Sequence, residues 1–318
     1  WLIRSNQSGI NFALYAASEA TPERQHWREL IAHDPQVMLE GVSLNASAYI
    51  LSLREGGLPV IQVHPQGQPA YRVQLPDAAY SLSVQDSLEF TSPVIRLRYE
   101  SLNRPPQIRQ LELASGQQQV LKETAVLGEF DADAYISQRL WATAADGTRV
   151  PVSLVAKRDV LDTPAPLYLY GYGAYGECLD PWFSHARLSL LERGFIFAIA
   201  HVRGGGELGE AWYRAGKLAH KHNSFSDFIA CAEHLIAGSY TTAAQLAISG
   251  GSAGGLLIGA VLNQRPELFG AAIAEVPFVD VLNTMLNPDL PLTVTEYDEW
   301  GDPNQPDVHA RIRTYAPY

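Results

Sequence analysis

Cysteine is almost absent: Cys178 and Cys231 are the only two in 318 residues. Two thiols cannot build a disulfide framework or a cysteine metal cluster. Both lie in or beside apolar segments, where cysteine packs as a small hydrophobe. No apolar run approaches the roughly 20 residues that cross a bilayer, so no membrane association is expected. Nothing after Trp1 has the pattern of a signal peptide, and the chain is expected to be cytoplasmic. Basic residues are outnumbered, 23 against 34, and the net charge is −11. That balance argues against nucleic acid as a partner and is compatible with a cationic substrate, or simply with an ordinary acidic surface. A methionine is missing from the first position, which is Trp1, so the natural N-terminus is expected to lie upstream.

What is present divides near Gly128. Residues 1–128 read as all-β. Short runs such as Ala48-Tyr-Ile-Leu-Ser-Leu, Val60-Ile-Gln-Val, Tyr71-Arg-Val-Gln-Leu, Leu88-Glu-Phe and Val94-Ile-Arg-Leu-Arg-Tyr are separated by turn residues such as Glu55-Gly56-Gly57 and Pro65-Gln66-Gly67. Their spacing suits a β-propeller or a sandwich, and without a strict repeat the pattern alone does not choose. Residues 129–318 alternate strand and helix. A hairpin over Leu140–Ala156 leads to apolar strands at Pro166–Tyr170, Gly194–Val202, Leu246–Ser249 and Gly270–Val276, divided by helical stretches. Continuous apolar strands between helices mean a mainly parallel sheet covered on both faces.

Chemistry is signalled at Ser249-Gly250-Gly251-Ser252-Ala253-Gly254-Gly255, straight after the apolar strand Leu246-Ala247-Ile248. This is the G-x-S-x-G nucleophile elbow in its strand–turn–helix context, and it specifies an α/β-hydrolase. The competing reading is a glycine-rich connection without chemistry. The strand, the small flanking residues and the following helix all favour the nucleophile. Acyl transfer also needs an oxyanion hole. One donor is the backbone N–H of Ala253; the second is expected from the loop Tyr170–Gly176. The run Arg203-Gly204-Gly205-Gly206-Glu207-Leu208-Gly209 lacks the Lys-Ser/Thr of a P-loop. It is expected to line the floor of the site, not to hold a nucleotide. No metal or cofactor is implied.

Together these motifs resemble the prolyl oligopeptidase family, and within it the oligopeptidase B branch. The resemblance is carried by Tyr170-Gly-Tyr-Gly-Ala-Tyr-Gly, His201-Val-Arg-Gly-Gly-Gly-Glu-Leu-Gly, Gly250-Gly-Ser-Ala-Gly-Gly, Asn263-Gln-Arg-Pro-Glu-Leu-Phe, Val276-Pro-Phe-Val-Asp and Glu296-Tyr-Asp-Glu-Trp-Gly. It implies a propeller capping an α/β-hydrolase domain, with short peptides cleaved after Arg or Lys. It implies Ser252 as nucleophile, and Tyr172 and Ala253 as oxyanion donors. Glu296 would bind the basic side chain, assisted by Asp298, one methylene shorter than the usual glutamate. Asp180 would lie near the next subsite, with Trp182 where a second acid is common. If Thr295–Trp300 is extended, Glu296 and Asp298 point the same way.

A triad needs a base and an orienting acid in the chain order Ser, Asp/Glu, His. After Ser252 the only histidine is His309, in a polar, helical-looking stretch with no strand before it to carry the acid. Asp280 falls one strand too early, and His201 precedes the serine. The expectation is therefore that the triad Asp and His lie beyond Tyr318 and that the chain alone is inactive. The alternatives are a family member with prolyl, acylaminoacyl or dipeptidyl specificity, the prolyl pocket being expected to be apolar, and a non-catalytic binding module.

Overall fold

The computed structural model describes residues 1–85 and 87–318. They form two compact units. The first comprises Trp1–Phe130 with Asp180–Phe183 and Glu207–Ala211; the second comprises Asp131–Leu179, Ser184–Gly206 and Trp212–Tyr318.

The first unit holds three antiparallel sheets. Strands β1 (Leu2–Ser5), β2 (Ala13–Ala16) and β3 (Arg28–Ile31) make one. Strands β4 (Val37–Asn45), β5 (Ala48–Glu55), β6 (Leu58–Pro65) and β7 (Tyr71–Arg72) make the next, and β8 (Tyr80–Gln85), β9 (Val94–Ser101), β10 (Gln107–Glu112) and β11 (Gln118–Glu123) the third. Every strand pairs only with its neighbours in sequence. That is the meander of a propeller blade; a sandwich exchanges strands by Greek-key connections. Gly56 and Gly57 take φ of 59° and 81° between the paired residues Glu55 and Leu58, which makes the two-residue turn that only glycine adopts without strain. Alternate side chains on β9, Ile95, Leu97 and Tyr99, are buried with Ile50, Ile61, Val63, Leu82 and Leu111 from the neighbouring strands. One expected strand is displaced. Leu88-Glu-Phe lies outside any strand, with Leu88 and Phe90 exposed, and the pairing segment is Tyr80–Gln85, which buries Leu82.

The second unit is built on one six-stranded sheet. The hairpin β12 (Tyr135–Thr143) and β13 (Arg149–Lys157) is followed by β14 (Leu167–Gly171), helix α1 (His185–Leu191), β15 (Ile196–Ala200), α2 (Glu210–Arg214), α3 (His222–Ala237), β16 (Leu246–Gly251), α4 (Ala253–Gln264), β17 (Ala271–Glu275), α5 (Val281–Leu286), α6 (Tyr297–Trp300) and α7 (Pro306–Arg313). The strand order is β12-β13-β15-β14-β16-β17. Strands β14 to β17 run parallel, and β13 runs antiparallel to β15. All five residues of β15 are buried, as expected for a strand covered on both faces. The chain leaves β14 to one side for β15 and returns to its other side for β16. This reversal is a topological switch point, where the loops after adjacent strands splay apart and leave a crevice. Both Tyr172 and Ser252 follow strands that meet there. The outermost strand, β17, exposes all five of its residues.

Candidate active site

Ser252 stands between β16 and α4 with φ 54° and ψ −116°, a region that costs an L-residue about 1–3 kcal/mol. Backbone bonds hold it there. Its N–H donates to Glu275 O (2.9 Å), and its carbonyl accepts from Gly255 N (2.9 Å), Leu256 N (3.2 Å) and Phe278 N (3.0 Å). The flanking glycines are sterically required. A Cβ on Gly250 would lie 2.4 Å from Gly254 O, one on Gly254 2.7 Å from Gly171 O, and one on Gly255 2.6 Å from Pro277 Cα. The result is an exposed serine side chain above the tightly packed ends of β14 and β17. Ala253, 2 % exposed, opens α4. Its N–H belongs to the first helical turn, where donors have no intrahelical acceptor.

The loop after β14 runs alongside. Gly254 packs on Tyr172, within 3.3 Å of its ring as measured from an added Cβ. Tyr172 is half-buried, and burial followed by the fields of Glu177, Tyr170, Glu296 and Glu299 raises its phenol above the ordinary value. The hydroxyl therefore keeps its proton at neutral pH and can donate. Beneath this loop lies Arg203–Gly206. A Cβ on Gly204 would sit 2.2 Å from Gly173 O, and Gly204 O accepts from Gly176 N at 3.0 Å. Arg203 itself is consumed by ion pairs with Asp227 (2.6 Å) and Asp146 (2.7 Å). This run is a structural floor with no free guanidinium for phosphate.

An open pocket of about 250 Å³ joins Ser252 to Glu296, Tyr175, Val276, Phe278, Met285 and Leu292. Four of its lining residues have positive φ: Ser252 (54°), Val276 (38°), Tyr175 (60°) and Leu292 (73°). Among the described residues only three other non-glycine residues do so, so backbone strain is concentrated at this one pocket. Glu296 accepts from Tyr175 Oη (2.6 Å) and Trp300 Nε1 (2.9 Å), both on Oε2. Its Oε1 has no protein partner among the described residues.

Of the other two expected substrate-binding carboxylates, Asp298 lies off the pocket and Asp180 is ion-paired. Glu296 precedes a helix, not a strand: it has φ −83° and ψ −3°, and Tyr297–Trp300 forms α6. Two residues along a helix turn a side chain by about 200°, so Asp298 is exposed and does not line the pocket with Glu296. The acids that do point inward are Glu296 and Glu299, the latter 3 % exposed. Asp180 belongs to the first unit, where it forms a bidentate pair with Arg54 (2.6 and 3.2 Å). Arg54 is buried and shared between Asp180 and Glu40, whose Oε1 accepts from its Nε at 2.6 Å.

No described histidine lines the pocket. His201 is buried against Ser153 Oγ at 2.8 Å, and His309 lies on α7. Asp280 caps α5 by accepting from Asn283 N. Cys231 is buried, and desolvation raises its thiol well above the ordinary range, so it packs as a hydrophobe. Sequence reasoning missed Tyr175 at the pocket wall and Glu299, Tyr213 and Lys221 behind it. These four converge only in three dimensions. The nearest sequence signal was the acidic-aromatic run Glu296–Trp300 itself.

Two family models match the chain: the prolyl oligopeptidase family over residues 181–318, and the prolyl oligopeptidase N-terminal beta-propeller domain over residues 1–124. Dipeptidyl aminopeptidase BI of Pseudoxanthomonas mexicana is 40% identical over 321 residues, covering 100% of this chain and 44% of that protein. Protease 2 of Moraxella lacunata is 39% identical over 318 residues, covering 100% and 46%. Among solved structures, oligopeptidase B from Trypanosoma brucei with covalently bound antipain, in a closed form, superposes with a TM-score of 0.91 at 40% identity, covering 99% of this chain and 46% of that one. Oligopeptidase B from Leishmania major superposes with a TM-score of 0.90 at 39% identity and the same coverage. The chain thus spans less than half the length of these relatives.

Proposed function

Since the chain belongs to the prolyl oligopeptidase family, we propose that Ser252 is the nucleophile of a serine peptidase that cleaves short peptides after arginine or lysine. The observation that carries this reading is the shared pocket: a strained, exposed serine and a half-buried carboxylate with one free oxygen open into the same cavity. Ser252 Oγ attacks the scissile carbonyl carbon. The oxygen that gains negative charge is received by Ala253 N–H and Tyr172 O–H; the scissile C–N bond then breaks, the amine leaving with the proton taken from the serine, and water hydrolyses the acyl ester to free the acid and restore Ser252. The proton-accepting base is supplied from outside the residues that line this pocket.

Glu296 supplies the preference. Tyr175 and Trp300 hold one carboxylate oxygen and leave Oε1 for a guanidinium or ammonium. Partial desolvation strengthens that pairing. The apolar lining from Val276, Phe278, Met285 and Leu292 suits the methylene stem of such a side chain. It would also accept an uncharged residue, so a prolyl or dipeptidyl specificity is the rival reading, and it gives Glu296 no role.

The test uses the full-length protein that contains this chain, with fluorogenic Arg, Lys, Pro and aminodipeptidyl amides. Arg and Lys amides should be cleaved, and Ser252→Ala should remove turnover by about a millionfold. A phosphonylating inhibitor followed by peptide mass spectrometry should place the adduct on Ser252. Preferred cleavage after Pro, or an adduct on another serine, would overturn the reading.

A further inference from the structure

Behind the pocket lies a second, buried carboxylate outside its lining. Glu299 is 3 % exposed. Its Oε1 accepts from the backbone N–H of Tyr175 (3.2 Å), and its Oε2 accepts from Tyr213 Oη (2.9 Å). Tyr213 Oη in turn accepts from Lys217 Nζ at 2.9 Å. One helical turn before Glu299 is Glu296, which accepts from the hydroxyl of the same Tyr175. Tyr175 is therefore gripped at both ends by α6 and its N-cap, its N–H by Glu299 and its O–H by Glu296. It needs that grip, because its φ of 60° is unfavourable for a residue with a side chain.

The other flank of the loop is tied as well. Lys221 is 2 % exposed; its Nζ donates to Gly173 O at 2.6 Å and lies 4.8 Å from the centre of the Trp300 ring. Trp300, fully buried, donates to Glu296. The loop that carries Tyr172 and the segment Glu296–Trp300 are thus fastened to each other through Tyr175 at the pocket wall and through the buried Glu299, Lys221 and Trp300. A buried charge is costly unless it is well paired. Glu299 spends its charge on a loop N–H and a tyrosine hydroxyl, and each fixes a neighbour of the reacting groups.

We infer that Glu299 is a positioning residue that holds the loop Tyr172–Gly176 and the Glu296 carboxylate as one unit, so that transition-state stabilisation and the preference for a basic side chain both depend on it. The inference rests on the roles proposed above for Tyr172 and Glu296. Losing Glu299 releases Tyr175 N–H, relaxes the strained residue and lets both functional groups drift. Displacements of about an ångström at a reacting centre cost up to about a hundredfold in rate.

The experiment compares Glu299→Ala, Glu299→Gln and Glu299→Asp with Glu296→Gln in the full-length protein. Rates are normalised to sites titrated by a phosphonate, so misfolded molecules do not count. Glu299→Ala should lower kcat about tenfold or more on an uncharged ester and, separately, shrink the Arg-over-neutral preference about tenfold. Glu299→Gln keeps an acceptor for Tyr175 N–H and should stay within about threefold of the parent. Glu296→Gln should lose most of the Arg preference. If Glu299→Ala is unstable but unchanged in both parameters per titrated site, its role is only structural and the inference is overturned. If Glu299→Ala yields no titratable protein, Glu299→Asp, which keeps the charge but withdraws it by one methylene, decides by the same two readouts. If Glu296→Gln leaves Arg preference intact, the basic-pocket reading fails. The ester kcat of Glu299→Ala still decides the positioning role.

Discussion

At Gly250 the space for a methyl group is already filled by backbone. An added Cβ would meet Gly254 O at 2.4 Å and Gly171 O at 2.8 Å, and neither can retreat without moving α4 or β14. Gly250→Ala should therefore destabilise the second unit by about 1–3 kcal/mol and also turn Ser252 out of its strained geometry. Thermal melting and fluorophosphonate labelling would read both effects. Unchanged melting with full labelling would mean that the elbow tolerates bulk. Lys221 makes a prediction of a different kind. Burial pushes its ammonium down from 10.5 to about 8, an effect that Glu299 partly offsets. Below pH 8 the lysine is charged in the folded and unfolded states alike, and the folded protein carries the full desolvation penalty. As pH rises from 8 towards 10.5, the folded protein has lost a proton that the unfolded chain keeps. The contribution of Lys221 to stability therefore rises over that window, by on the order of 3 kcal/mol. The melting temperature of the parent should rise relative to Lys221→Met between pH 7 and pH 10. A pH-independent difference between the two would show that Lys221 is not titrating there.

Helix α6 shows how a short element redirects a site. Thr295–Trp300 contains Thr, Tyr and Trp, residues common in strands, and an extended reading aims Glu296 and Asp298 together. Tertiary contacts decide otherwise: Glu299 and Trp300 turn into the interior, and Gly301, at φ 91°, ends the helix. Asp298 is left on the outside, where solvent and salt screen its charge. Asp298→Asn should change kcat/KM for an Arg substrate less than about twofold, whereas Glu296→Gln should lower it about 30-fold or more. Equal losses in the two variants would restore the convergent pair. The same contrast between local and tertiary signal runs through the fold. The elbow was legible because its constraints are local: an apolar strand, small residues at fixed offsets and a helix within fifteen residues. The parallel strands were legible as continuous apolar runs. Strands β1, β2 and β3 were not, since four residues offer too few positions for a periodic signal, and β11 exposes five of its six residues and so shows no apolar face. Tyr80–Gln85 was hidden by alternating serines, while Leu88 and Phe90 looked like a strand but face solvent. Glu299, Tyr213 and Lys221 were illegible for another reason. Their partners lie 124, 86 and 48 residues away in sequence.

At the scale of the whole molecule, the pocket brings the proposed nucleophile Ser252 together with Glu296, and no histidine among the described residues joins them there. The chain contains nine histidines, and none lines the Ser252 pocket. His201 sits at 0 % exposure against Ser153, and His309 lies on α7, whose buried residues are Val308 and Ile312. A serine hydroxyl without an adjacent base is a weak nucleophile. If Ala253 N–H and Tyr172 O–H act as the proposed oxyanion donors, they and the binding pocket are what remains, and such a remnant keeps only about 10³–10⁴-fold acceleration over water. The folded chain of 318 residues, purified by itself, should therefore hydrolyse an Arg amide about a millionfold more slowly than the full-length protein. Arg-containing peptides should still compete for it weakly through Glu296. Strand β17 contributes to the same expectation. It exposes all five residues, with Ile273 at 44% and the following Val276 at 86%, and an open parallel edge of this kind invites pairing with another chain. Light scattering of the isolated chain should show association that grows with concentration, and the residual rate should be measured below that onset. Hydrolysis at an enzyme-like rate, abolished by Ser252→Ala and by His309→Ala, would place the base on α7 and would require that helix to swing towards the pocket during turnover.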